Sequence, residues 1–174
     1  MYRIRYLLFL LVCVNAHATC PKATVSWVAD TYHVQPKIVR FACKQAVSDG
    51  IQPSLVLAVI AKESSFKERV IDGDSYGLMQ VNFRAHRRLV LRVDKASGGH
   101  LVNYKTNIIV GSSILAGLLS KYPTWGALQR YNGARTWKYP HAVLTLRTRI
   151  EKTVNEQSDP LYAFLQLRNL LDDK

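Results

Sequence analysis

Residues 55–82 read LVLAVIAKESSFKERVIDGDSYGLMQVN. The first seven are apolar on every side of a helix, so the sequence predicts a helix in the centre of the fold. Glu63 follows in the last turn of that helix, where apolar surroundings and the negative end of the helix dipole both raise the pKa of a carboxyl group. A carboxyl group that keeps its proton at neutral pH can act as a general acid. The alternative is an exposed glutamate that pairs with Lys62 or Lys67.

Helical patterns extend from this stretch in both directions, and the alternation typical of strands is almost absent. Proline at 36 and at 53 suits the first turn of a helix, where the missing N–H is not needed. Residues 67–76 hold turn formers. The sequence therefore predicts a mainly all-α fold in one domain, residues 19–174. The predicted helices are 24–32, 36–48, 53–65, 84–91, 108–122 (capped by Asn107), 125–131, 140–156 and 160–171.

The N-terminus has the organisation of a secretory signal peptide. Arg3 and Arg5 precede nine apolar residues, and the small-x-small sequence AHA follows at 16–18. Because nine apolar residues are too few to cross a bilayer, we predict that residues 1–18 are a signal peptide and that the mature protein is periplasmic or secreted, with no membrane span. An uncleaved anchor or a buried first helix is the alternative.

Three cysteines are present, and Cys13 would leave with the signal peptide. Cys20 and Cys43 would remain as a pair in a compartment that permits disulfides. A bridge between them closes a loop of a size that contributes about 3 kcal/mol. Two separate buried thiols are the alternative.

The chain is strongly basic, with 24 Lys and Arg against 12 Asp and Glu and a formal net charge of +12. This charge favours a polyanionic partner. No aromatic residues interleave with the densest basic cluster, so the pattern does not favour nucleic acid. The histidines lack metal-ligand spacing and no phosphate-binding glycine loop is present, so neither a metal nor a cofactor is predicted. The densest basic cluster, mentioned above, consists of Arg84, Arg87, Arg88 and Arg92.

Several motifs in a fixed order resemble the catalytic domain of the lytic transglycosylases, bacterial cell-wall enzymes with a helical fold related to goose-type lysozyme. The motifs are ESSF at 63–66, GLMQVN at 77–82, NI at 107–108, and RYNGA at 130–134, where the family has Ala-Tyr-Asn-Ala-Gly. The resemblance covers about residues 51–134. It implies a lysozyme-like fold around the central helix.

The resemblance also implies a reaction and a substrate, the glycan strands of peptidoglycan. Glu63 would protonate the glycosidic oxygen between N-acetylmuramic acid and N-acetylglucosamine. The same carboxylate would then take a proton from the muramyl C6 hydroxyl, which attacks C1 and closes a 1,6-anhydro ring. One carboxylate can serve both steps, and no second catalytic acid stands out in the sequence.

By the same resemblance, one face of the substrate cleft would be formed by residues 77–80. Ser64 would steady an acetamido group or bond to backbone, and Tyr131 would hold Glu63 in place by a hydrogen bond. Tyr76 and Tyr139 would stack on sugars, or pack in the core or at the rim of the cleft. The implied substrate-binding residues are Ser64, Tyr76, Gly77, Met79, Gln80, Tyr131 and Asn132.

Three other functions fit the same motifs. A hydrolysing muramidase would need Asp72 or Asp74 as its second carboxylate, although the dipeptides around these aspartates are also ordinary turn formers. A wall-binding component of an envelope-spanning secretion, conjugation or pilus apparatus would use the fold without strong catalysis. An exported antibacterial toxin would share the chemistry.

Overall fold

The computed structural model describes residues 20–97, 100–133 and 136–158, and within them the fold is mainly helical, as predicted. The predicted signal peptide and the helix predicted at 160–171 lie outside the described residues. The helices are α1 (Lys22–Tyr32), α2 (Pro36–Ser48), α3 (Pro53–Ser64), α4 (Phe83–Ser97), α5 (Tyr104–Leu119), α6 (Thr124–Asn132) and α7 (Lys138–Ser158). The strands are β1 (Ile71–Asp72), β2 (Ser75–Tyr76) and β3 (Val81–Asn82).

Helix α3 forms the centre of the core. All of residues 55–61 are buried, and the helix packs mainly against α7 and α2. Pro36 and Pro53 occupy the first positions of α2 and α3, as the sequence predicts. Because α3 is enclosed on its sides, its C-terminal end is the part that can present a side chain to solvent and substrate.

A small antiparallel sheet in the order β1-β2-β3, which was not predicted, follows α3. Each strand has two residues, which is too short to show an alternating pattern. Asp72 pairs with Ser75 in register, so Gly73, at φ 54°, and Asp74 make the turn between β1 and β2. The turn predicted from these residues is therefore present.

Helices α4 and α5 differ most from their predicted bounds. Helix α4 runs from Phe83 to Ser97, with a kink at His86, and is longer than the predicted 84–91. Helix α5 begins one turn earlier than predicted, because Asn103 and not Asn107 is its N-cap: the Asn103 side chain accepts a hydrogen bond from the Lys105 N–H at 2.9 Å. The helix ends at Leu119, before Pro123.

Cys20 and Cys43 form a disulfide, with their Cα atoms 5.7 Å apart. The bridge ties the residue before α1 to the middle of α2. The free-energy gain from closing a loop of this length is about 3 kcal/mol. No helix among the described residues has both the length and the apolar character needed to cross a bilayer.

Candidate active site

Glu63 lies in the last turn of α3, half-buried, with its carboxylate facing α7. The hydroxyl of Tyr139 donates a hydrogen bond to its Oε1. Glu63 makes no ion pair with Lys62 or Lys67, which excludes the alternative of an exposed, lysine-paired glutamate.

The protonation of Glu63 is controlled by opposing effects. Burial raises the pKa of the Glu63 carboxyl above its usual value, while the hydrogen bond from Tyr139 and the charge of Lys62 lower it in part. The net shift is upward. A carboxyl group in this condition can release a proton to a substrate oxygen and is also stabilised once it has become an anion.

Tyr139, and not Tyr131, is the tyrosine that holds Glu63. Tyr139 is only 6% exposed, so its ring is not available for stacking on a sugar. The Tyr131 hydroxyl instead donates to the backbone carbonyl of Met79 at 2.9 Å, so its predicted hydrogen bond to Glu63 was wrong. Burial and the nearby Glu63 charge raise the pKa of Tyr131 well above its usual value, which keeps it a hydrogen-bond donor.

Residues 77–80, which we call the wall segment, lie against the C-terminal end of α3. The buried Ser64 hydroxyl donates to the carbonyl of Leu78 at 2.8 Å and lies 3.2 Å from that of Ile60. Of the two interpretations of Ser64, the structure therefore shows the hydrogen bond to backbone. Leu78 and Met79 have no exposed surface. The Met79 side chain is therefore a core residue, which leaves no side-chain surface for the predicted contact with a sugar.

Asn107 joins the wall segment to α5. This side chain is fully buried. It accepts a hydrogen bond from the Met79 N–H at 2.8 Å and donates to the carbonyls of Tyr76 at 2.7 Å and Leu101 at 2.9 Å. Gly77, at φ 72°, permits this approach, since a Cβ there would lie 2.7 Å from Cγ of Asn107. Asn107 was predicted to be a helix cap, and these bonds were not predicted; their sign in the sequence was an amide among the apolar residues of one helix face.

Gln80 and Asn132 retain polar atoms that can meet a ligand. The Gln80 amide nitrogen donates to the carbonyls of Gly77 at 2.8 Å and Val70 at 3.2 Å, which leaves its oxygen as an acceptor. Asn132 is exposed at the end of α6. Both side chains are therefore compatible with sugar binding.

Tyr76 lies beside the wall segment in a pocket of about 260 Å³. The pocket combines aromatic, aliphatic and ionisable side chains, a mixture suited to the apolar face and the hydroxyl groups of a sugar. The ring of Tyr76 is half-buried, so one part of it remains accessible. Other lining residues are Phe83, Val90, Asp94, His100 and Leu101.

Three residues with side chains have left-handed backbone conformations next to the candidate acid. Ser65 and Phe66, which follow Glu63, have φ of 50° and 61°, and Gln80 at the end of the wall segment has φ of 45°. Ser65 is the C-cap of α3, where a left-handed residue commonly ends a helix. Phe66 and Gln80 are not caps, and such conformations in residues other than glycine are unfavourable and concentrate at functional sites.

Comparisons with known proteins agree with this geometry. The family model for the transglycosylase SLT domain matches residues 41–138, which include Glu63, the wall segment and Tyr131. Searches of curated proteins and of solved structures found no match. The matched segment is more than half of the 174 residues and contains the site built above. The chain therefore belongs to the family of transglycosylase SLT domain proteins, a lysozyme-like family that acts on peptidoglycan.

Proposed function

We propose that this protein is a peptidoglycan lytic transglycosylase in which Glu63 serves first as acid and then as base. The observation that carries the proposal is the half-buried Glu63 carboxyl, whose pKa is raised by burial and which is held by the Tyr139 hydroxyl. Family membership supports the substrate class. The proposed bond is the β-1,4 link between N-acetylmuramic acid and N-acetylglucosamine.

The proposed reaction cleaves the glycosidic bond without adding a water molecule to the product. Protonated Glu63 gives its proton to the glycosidic oxygen as the bond to C1 of the muramyl residue breaks. The resulting carboxylate is stabilised by the hydrogen bond from Tyr139 and then removes the proton of the C6 hydroxyl. The C6 oxygen forms a bond to C1, which closes the 1,6-anhydro ring and returns Glu63 to its protonated form.

A tyrosine-to-phenylalanine change tests the role of Tyr139. Because its hydrogen bond lowers the pKa of Glu63, Tyr139→Phe should raise that pKa further, so the activity should persist to higher pH. The maximal rate should fall by roughly 10–100-fold, since a hydrogen bond to a charged group contributes about 1.5–3 kcal/mol. Rates of muropeptide release measured across pH give both quantities.

Tyr122→Phe is a matched control, because the Tyr122 ring is 36% exposed and contacts Arg130, not Glu63. Its pH profile should equal that of the wild type. A Tyr139→Phe profile that keeps its position, or that moves to lower pH, would contradict the assigned role.

The two aspartates of the β1–β2 turn are the candidates for a second catalytic carboxylate. Asp72 is exposed, and Asp74 forms an ion pair with Arg84 at 2.9 Å on the surface. Their places in the turn favour a structural role and hence a transglycosylase over a hydrolase. We expect Asp72→Asn and Asp74→Asn each to change the stability or the activation barrier by no more than about 1 kcal/mol.

Mass spectrometry of the released muropeptides gives an independent measurement of the same question. Retained activity in both aspartate variants, together with anhydro-muramyl ends, supports the transglycosylase. Loss of activity in one folded variant, together with hydrated reducing ends, would assign the protein to the muramidases.

Export to the periplasm or beyond belongs to the same proposal. The signal peptide predicted at 1–18 and the Cys20–Cys43 disulfide support it, because disulfides persist in oxidising compartments. An enzyme that opens the wall could act beside an envelope-spanning secretion, conjugation or pilus apparatus. The half-buried position of Glu63 favours a catalytic role over a purely structural one.

A further inference from the structure

Helix α4 has an exposed basic face that the proposed reaction does not use. Arg84 lies outside this face, because it pairs with Asp74 at 2.9 Å. For the four other basic side chains of α4, the part of the chain that the structure describes offers no acidic partner. These four exposed side chains, which we call the α4 basic face, are Arg87, Arg88, Arg92 and Lys95.

The spacing of these residues places them together on one side of the helix. Residues three, four and seven apart share a helix face. Leu91 lies in the middle of the group and is 49% exposed, so the face combines basic groups with one accessible apolar side chain. Val90, on the side of α4 that packs on the core, is 2% exposed, so the packing of α4 directs the basic face toward solvent.

We propose that the α4 basic face docks the protein onto an anionic phospholipid surface. Four cationic groups without partners are complementary to a layer of negative headgroups, and clusters of this size on an amphipathic helix are typical of such binding. The exposed Leu91 favours lipid over other polyanions. A bilayer offers an apolar layer beneath its charges, into which a central leucine can insert, whereas a soluble polyanion offers charge alone.

The net charge of +12 strengthens the attraction at longer range. The docking surface does not depend on the proposed transglycosylase activity. A membrane-docked wall enzyme would act on the strands nearest the bilayer, and failure of the docking test would leave the test of Glu63 unaffected.

The test is sedimentation of the full chain with vesicles of phosphatidylcholine alone or of equal parts phosphatidylglycerol and phosphatidylcholine. Wild-type protein should bind the anionic vesicles more strongly, and added salt should release it. The double variant Arg88→Gln/Arg92→Gln should lower the partition coefficient by about tenfold or more, because each basic residue near such a surface contributes about fivefold. Far-UV circular dichroism checks that the variant is folded.

A matched double variant on another helix separates this face from overall charge. Arg40→Gln/Lys44→Gln removes the same two charges from exposed positions of α2 and should bind within about twofold of the wild type. Residues 1–19 are common to all variants, so any binding that they cause contributes equally to each and does not affect the comparison. Equal losses in the two double variants would show that net charge alone drives binding and would overturn the proposal.

Leu91→Ser distinguishes a bilayer from an acidic protein surface. It should weaken binding to anionic vesicles and leave binding to soluble poly-glutamate unchanged. If Leu91→Ser binds vesicles as the wild type does, and the wild type prefers poly-glutamate, the face recognises an acidic macromolecule and the lipid proposal is wrong.

Discussion

Glu63→Gln is expected to reduce peptidoglycan cleavage by at least about 100-fold, the low end for loss of a general acid. The glutamine amide keeps the shape of the side chain and can still accept the hydrogen bond of Tyr139, but it has no proton to transfer. Muropeptide release by the folded variant measures the effect. Glu68→Gln is a suitable control, because it removes an acid from the loop after α3 without touching the site. Near-normal digestion by Glu63→Gln would remove Glu63 from its proposed role.

The same substitution should make the protein more stable at neutral pH. Burial raises the pKa of Glu63, so folding favours its protonated form. The stability that this provides is fully present below the usual pKa of 4.5 and is lost as pH rises through the raised value. The amide does not ionise and avoids that loss. Chemical denaturation should therefore show a stability advantage for Glu63→Gln at neutral pH that shrinks in acid; an advantage independent of pH would point to another cause.

Asn107→Ala is expected to have the largest effect on the free energy of unfolding. It leaves the buried Met79 N–H and the carbonyls of Tyr76 and Leu101 without their partner. An unpaired buried group costs about 1–3 kcal/mol, so the three together cost on the order of 3–9 kcal/mol. Against a typical total of about 5–15 kcal/mol, this loss is severe. Urea denaturation measures it.

Two further variants make the Asn107 result specific. Asn103→Ala, one turn earlier in α5, removes only the helix cap and should cost about 1 kcal/mol. Asn107→Asp keeps the acceptor for the Met79 N–H but places a carboxylate against two carbonyl oxygens, so it should also destabilise strongly. If Asn107→Ala and Asn103→Ala had equal effects, Asn107 would contribute no more than an ordinary helix residue.

The sequence predicts the framework of this fold better than its tertiary contacts. Pro36 and Pro53 mark helix starts because a proline ring constrains its own backbone, so the information is local. The prediction of Asn107 as the cap of α5 was wrong: asparagine is a good cap at 103 as well as at 107, and only the packing of Asn107 against the wall segment decides between the two positions. The strands escaped notice because two residues cannot show a period.

The candidate site follows the same rule. Glu63 was predictable from its neighbours in the sequence, because an apolar helix determines its setting. Its partner Tyr139 is 76 positions away, and the local sequence around it indicates only an aromatic residue near a helix start. Tyr131, which is partly buried, and Tyr139, which is buried, both lie near Glu63, and which hydroxyl reaches the carboxylate depends on how α6 and α7 pack. No pattern within either helix carries that information.

The left-handed residues around Glu63 affect how this protein should lose activity. Ser65, Phe66 and Gln80 each cost about 1–3 kcal/mol relative to a relaxed backbone. The packing of α3 and Phe66, which is 3% exposed and lies 4.9 Å from the Tyr32 ring, holds the chain in these conformations. If that packing is weakened, the loops that contain these residues can relax while the helices remain folded. On heating, the protein should therefore lose activity at a lower temperature than the one at which it unfolds. Among its variants, folded but inactive proteins should be commoner than unfolded ones.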